Sequence, residues 1–279
     1  MLYHSMNTVS WFTVVIVFLL IGLVTRRNPF APIYYLAKEL LRSYKLVLLI
    51  AGMSGVLALN KYELQIEKNL HLTSDFTGFV YGLEGHFVQG LQHLFYAPWL
   101  TPIIVFFYVF MLQSVLAASL GVYLMDKNRL MVYATCYAVI LNYAIAIPFY
   151  LYLPVNEVWS YAPAGVRFVM LDVFPKFEQE YRALSGLNNC FPSLHTSISL
   201  TTALLALRSG NRRWMMVTSV SAAVIIFGIF YLGIHWLTDM MGGTLLAILS
   251  SSLGVQLAKL TLRENEVTLR VGNEATPMR

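Results

Sequence analysis

Charge is what this sequence has least of. Asp, Glu, Lys and Arg make up 12% of its 279 residues while 58% are hydrophobic, and a soluble domain carries about twice that share of charge. The balance excludes an ordinary soluble fold and points to a membrane. Cysteine is scarce too: Cys136 falls inside an apolar run and Cys190 just before a Pro-Ser pair. Two cysteines so placed predict neither a disulfide nor a metal site. There is no internal repeat and no low-complexity tract. No Lys or Arg precedes the first apolar run, and Thr25-Arg26-Arg27 follows it where a signal peptide would carry small residues, so it reads as a retained helix.

What is present is a series of long apolar runs. Membrane-spanning helices need about 17–25 mostly apolar residues. Residues 102–124, 131–153, 192–207, 214–231 and 236–258 are good candidates, and 9–24 and 46–59 are weaker ones. With the N-terminus outside, the inner segments hold Arg26, Arg27, Lys38, Arg42, Lys45, Lys127, Arg129, Arg208, Arg212, Arg213, Lys259, Arg263, Arg270 and Arg279. The outer segments hold only Lys61, Lys68, Arg167, Lys176 and Arg182. That bias follows the positive-inside rule and accounts for the net charge of +5 without nucleic acid. None of the five strong spans has an Asp, Glu, Lys, Arg or His at its middle, which argues against a proton- or ion-coupled transporter.

Polar residues instead gather at two helix mouths. NNCFPSLHTS, 188–197, opens one span, and GIHWLTD, 233–239, opens another. Two crossings separate them, so His195 and His235 should return to the same boundary. Pro is favoured at the first helical position, so Pro192 is expected to start its helix. The free N–H groups there, with Ser193, would make an anion seat. His235 and Asp239 are four apart and share one helical face. A carboxylate there fixes the imidazole tautomer and leaves the other nitrogen free as a nucleophile or base. Gly242 and Gly243 suggest close helix packing. The outer segment 60–98 carries Glu63, Glu67, Asp75, Glu84, His86 and His93. It reads as an interfacial stretch lining the entrance, in preference to a metal site. Glu84, Asn156 and Glu157 are candidates for recognising a polar headgroup or acceptor.

PSLH followed some forty residues later by GIHWLTD resembles the type-2 phosphatidic acid phosphatase superfamily, whose signatures include PSGH and SR-x5-H-x3-D. FPSLH, with Leu194 for Gly, is similar to the branch of inositol phosphorylceramide synthases and related archaeal and bacterial proteins. The motif resemblance covers roughly 150–243. It implies that His235 is the nucleophile forming a phosphohistidine and that Asp239 holds its ring. It implies too that His195 protonates the leaving group and then activates the acceptor, with Ser193 binding phosphoryl oxygens. The superfamily's membrane enzymes need no metal, and the resemblance implies no cofactor. Gly228 and Ile229 stand where the third signature has Ser and Arg, and no stretch matches K-x6-R-P. Arg167, Lys176 and Arg182 are the candidates to supply phosphate charge.

The resulting expectation is an all-α membrane protein of about seven transmembrane helices with a lipid-phosphatase-type core bundle. Residues 1–98 form N-terminal helices and an outer interfacial segment, 99–258 the catalytic core, and 259–279 a flexible cytoplasmic tail. The N-terminus and active site face outside at the cell membrane. The function is phosphatase action on a lipid phosphate or polyprenyl (pyro)phosphate. A lipid headgroup phosphotransferase and a catalytically inactive lipid-binding homologue are the alternatives.

Overall fold

The computed structural model describes residues 5–70, 74–182 and 186–274, with side chains other than those of 63–64, 67–70 and 264–274. Glu63, Glu67, Lys68, Arg270 and Arg279 therefore lie outside the described side chains. In chain order the helices are α1 (Met6–Thr25), α2 (Ala31–Arg42), α3 (Tyr44–Leu70), α4 (Thr77–Glu84) and α5 (Phe87–Phe95). Next comes α6 (Thr101–Phe106), which runs through a π-helical stretch, Phe107–Met111, into α7 (Leu112–Met125). After them come α8 (Arg129–Tyr152), the short α9 (Phe177–Tyr181), α10 (Leu194–Ser209), α11 (Arg212–Tyr231) and α12 (Leu237–Glu274). No strand occurs among the described residues.

Among the described residues six helical stretches are long and apolar enough to cross a membrane: Met6–Thr25, Tyr44–Tyr62, Thr101–Met125, Arg129–Tyr152, Arg212–Tyr231 and Leu237–Arg263. They make this a multi-pass membrane protein. The seventh expected span is α10, which has 16 residues and so rises only about 24 Å. It is short and hydroxyl-rich because protein surrounds it: α7, α8, α11 and α12 all pack on it. Its Thr196, Ser197, Ser199, Thr201 and Thr202 are buried. Hydroxyls in such a place need partners, and the helix supplies several. Ser199 donates to the His195 carbonyl at 2.5 Å and Thr202 to that of Ile198 at 3.1 Å. The Ser197 hydroxyl donates to the Asn142 side chain of α8. By contrast α1 and α3 turn Trp11, Leu19, Leu23 and Leu48 outward, as lipid-facing helices do.

Two expectations are corrected. Pro192 does not start α10. Ser193 is its N-cap, with its Oγ accepting the Thr196 N–H at 3.2 Å, so Pro192 lies one residue outside the helix. The stretch from 259 onward, expected to be a flexible tail, continues as helix to Glu274.

Candidate active site

The turn between α11 and α12 buries His235. Gly233 holds a positive φ of 80°, and a Cβ there would come 2.5 Å from the Arg167 carbonyl. Beyond it, the N–H groups of Ile234 and His235 both donate to the Ile229 carbonyl, at 3.0 and 3.2 Å. The long loop after α8 laces onto this turn. Val158 and Trp159 donate to the carbonyls of Ile234 and Gly233, and the Trp236 indole donates to the Asn156 carbonyl at 2.8 Å.

The start of α12 is secured by two carboxylates. Glu84, at the end of α4, accepts the N–H groups of Leu237 and Thr238 at 2.6 and 2.5 Å. Asp239 accepts the Trp236 N–H at 2.8 Å, the backward reach of a capping box. The same Asp239 oxygen lies 3.2 Å from His235 Nδ1. A carboxylate can only accept, so Nδ1 carries the proton, and in the neutral ring Nε2 is the nitrogen with the lone pair. Asp239 is fully buried, and its other oxygen has no hydrogen-bond partner among the described residues.

His195 reaches this dyad through packing between helices. The Ser193 N–H donates to the Asp239 carbonyl at 3.0 Å, tying the mouth of α10 to the first turn of α12. Gly243 permits the approach, since a Cβ there would lie 2.5 Å from the Ser193 carbonyl oxygen. The imidazoles of His195 and His235 consequently lie 5.7 Å apart, centroid to centroid. On its other side His195 is stacked on Tyr108, at 4.1 Å and 13° between planes. Tyr108 sits in the π-helical stretch Phe107–Met111, and such turns recur at functional sites.

Both histidines open into a cavity of about 160 Å³. Glu157, Asn189 and the tyrosines 108, 143, 150 and 181 give it polar walls, and Leu112, Leu116 and Ile198 give it an apolar side. Among the described residues no Lys or Arg lines it. Of the cations expected there, Arg182 is nearby. It pairs with Glu157 at 3.0 and 3.1 Å and donates to the Gly186 carbonyl at 3.2 Å, both cavity residues. It also pairs with Glu178 at 2.5 Å. Burial works against its charge, but the bonds to Glu157 and Glu178 prevail and hold its pKa above the ordinary arginine value.

Arg167 is elsewhere. Its guanidinium contacts both oxygens of Asp172 at 2.8 Å and lies over the Tyr96 ring, on a separate cavity with His93. Lys176 is exposed at the start of α9. Ser193 is fully buried with its oxygen engaged in the cap, leaving only its hydroxyl proton to offer. The residues expected to read a headgroup have internal duties. Glu84 caps α12, Glu157 neutralises Arg182 and accepts the Trp159 indole N–H at 2.5 Å, and Asn156 donates to Asp75 at 3.2 Å. His86 pairs with Tyr81 at 3.3 Å, away from His93. Ile229, in place of the signature arginine, is fully buried in the core. Tyr108 gave no signal in sequence, being one ring in the run FFYVF.

Cys190, His235 and Asp239 place one donor atom each within 4.8 Å of one another. As a metal site this trio fits poorly. Burial, then the charges of Asp239 and Glu157, push the Cys190 thiol well above its ordinary pKa, and a metal needs the thiolate. The Cys190 Sγ–H donates to the Ile234 carbonyl, and His235 Nδ1 is committed to Asp239.

The segment 163–261, carrying both histidines and Asp239, matches the model of the PAP2 superfamily. Members of that superfamily are generally phosphatases or phosphotransferases acting on lipid-like substrates. No curated protein and no solved structure matches this chain.

Proposed function

We propose that this protein removes phosphate from a lipid phosphate or pyrophosphate, a phospholipid or a polyprenyl carrier, through a phosphohistidine at His235. The observation that carries the reading is the His235–Asp239 bond facing His195 across one cavity within the matched segment. Nε2 of His235 attacks phosphorus as the bond to the lipid oxygen breaks. His195 gives that oxygen its proton. His195 then takes a proton from water as the water oxygen attacks phosphorus. The P–N bond breaks, phosphate leaves and His235 is restored. Arg182, whose N–H groups all go to Glu157, Glu178 and the Gly186 carbonyl, acts as a positioning residue from behind Glu157, and the Ser193 hydroxyl is a donor to the phosphoryl oxygens.

Leu112, Leu116 and Ile198 support entry of the lipid chain from the side of the bundle. The basic-residue bias supports an outward-facing site with the C-terminus in the cytoplasm. A second reading, transfer to an alcohol headgroup as in the synthases that FPSLH resembles, draws support from the uncharged polar walls supplied by Tyr143, Tyr150 and Asn189. Phosphate release from a panel of lipid phosphates and pyrophosphates, with and without polyol acceptors, tests both. Hydrolysis without an acceptor supports the first, and a new phosphodiester formed only with one supports the second. Absence of turnover across the panel would remove the catalytic assignment.

A further inference from the structure

A cluster of basic side chains lies at the other end of the bundle. α8 ends beside the histidines, where the Tyr150 hydroxyl donates to the Pro192 carbonyl at 3.1 Å. It begins 23 residues earlier, at Arg129, about 35 Å away along the helix. There a cavity of about 300 Å³ opens between α2, the end of α7 and the start of α8. Lys38, Arg42, Lys127 and Arg129 line it together with one acid, Glu39. Glu39 is spent on Arg129, whose Nε lies 3.0 Å from its carboxylate. Lys38, Arg42 and Lys127 have no carboxylate partner among the described residues, so the cavity walls carry a surplus of three positive charges. The positive-inside bias explains basic residues anywhere on these segments. It does not explain their convergence on one concave space.

The helix that forms one wall tells what kind of anion could reach it. Tyr35, Lys38, Glu39 and Arg42 of α2 follow helical spacing and line the cavity. The side away from the cavity presents Phe30, Ile33 and Leu41, all exposed, Leu41 at 91%, and Tyr34 lies between the two, its ring 5.8 Å below the Lys38 ammonium. An exposed apolar face backing a basic one is the pattern of a helix lying in a membrane interface. Its basic side then sits at the level of lipid headgroups. We infer that this cavity binds the phosphoester headgroup of an anionic membrane lipid, as a ligand distinct from the substrate at the histidines. Arg42 and Lys127 contact the phosphate oxygens, with Lys38 beside them.

The test is thermal unfolding of the purified full chain in detergent, titrated with phosphatidylglycerol, phosphatidylcholine or inorganic phosphate. Phosphatidylglycerol is expected to raise the unfolding temperature of the wild type and of His235→Ala alike, which separates this site from the catalytic one. In Arg42→Gln/Lys127→Asn its apparent affinity is expected to fall roughly thirtyfold, given the contribution of each cation near an anionic lipid surface. Both positions are exposed, so the variant should fold. If it does not, each single substitution is expected to lose part of the shift. A shift that survives the charge substitutions, or one matched by phosphatidylcholine, overturns the site. An equal shift from inorganic phosphate overturns its assignment to a lipid.

Discussion

At the scale of single residues, the account turns on which groups touch phosphorus and which merely hold them. Asp239 holds: it binds His235 Nδ1 and the Trp236 N–H with one oxygen. Asp239→Asn is expected to lower kcat/KM by about 10²–10⁴-fold, because an amide can present the wrong tautomer to the ring. The rate of phosphoenzyme formation checks this, since a purely structural defect would lower the active fraction and leave that rate unchanged. His195→Gln should behave differently. With an activated leaving group such as p-nitrophenyl phosphate, the first step needs little acid, so phosphoenzyme should accumulate and its hydrolysis become limiting. Arg182→Gln is expected to lower kcat/KM by about 10²–10³-fold, while Arg167→Gln, whose partner is Asp172, leaves it near the wild-type value. Because Arg182→Gln also strands the buried Glu157, the double variant Glu157→Gln/Arg182→Gln should recover stability without recovering activity. The raised pKa of Arg182 keeps its charge at every working pH. Its contribution to stability would be lost only above the ordinary arginine range. Arg182→Lys should therefore bring an alkaline loss of activity within reach. That His195, His235 and Asp239 would meet at one boundary was legible in sequence, because polar groups at an apolar boundary stand out. Ser193 was read as a donor in the anion seat, but the cap takes its oxygen.

At the scale of elements, the site depends on how three helix ends meet. Glu84 ties α4 to the first turn of α12, so it positions His235 and Asp239 without touching substrate. Glu84→Ala is expected to cost about 1–2 kcal/mol, as loss of a capping acceptor does, and to lower kcat more than KM. Differential unfolding measurements beside steady-state kinetics would check both. Gly243→Ala drives a methyl into the Ser193 carbonyl and should cost about 1–3 kcal/mol while widening the gap between the histidines. Sequence spacing foresaw the Gly242–Gly243 contact, because small residues at a helix start have few other uses. It could not foresee Glu84's duty, since the carboxylate and the N–H groups it serves are 153 and 154 residues apart. The shortness of α10 was hidden for a related reason. Hydropathy sees an apolar run, whereas the helix's own composition reflects neighbours that shield it from lipid.

For the whole molecule, the proposal is an active site at the outer face and a basic lipid-headgroup cavity at the inner one. Both native cysteines are buried, so they should resist maleimide in the folded protein and leave introduced ones readable. Lys176→Cys should label from outside intact cells and Lys127→Cys only after permeabilisation. The reverse pattern would invert the orientation. The central claim is the covalent intermediate on His235, and trapping it is the most direct measurement. Purified protein would be quenched during turnover of a radiolabelled lipid phosphate, and the modified residue located by mass spectrometry under alkaline conditions that preserve phosphohistidine. The account predicts an acid-labile phosphoryl group on His235, absent from His235→Ala and longer-lived in His195→Gln. Turnover with no label at His235, or a label undiminished in His235→Ala, would contradict it.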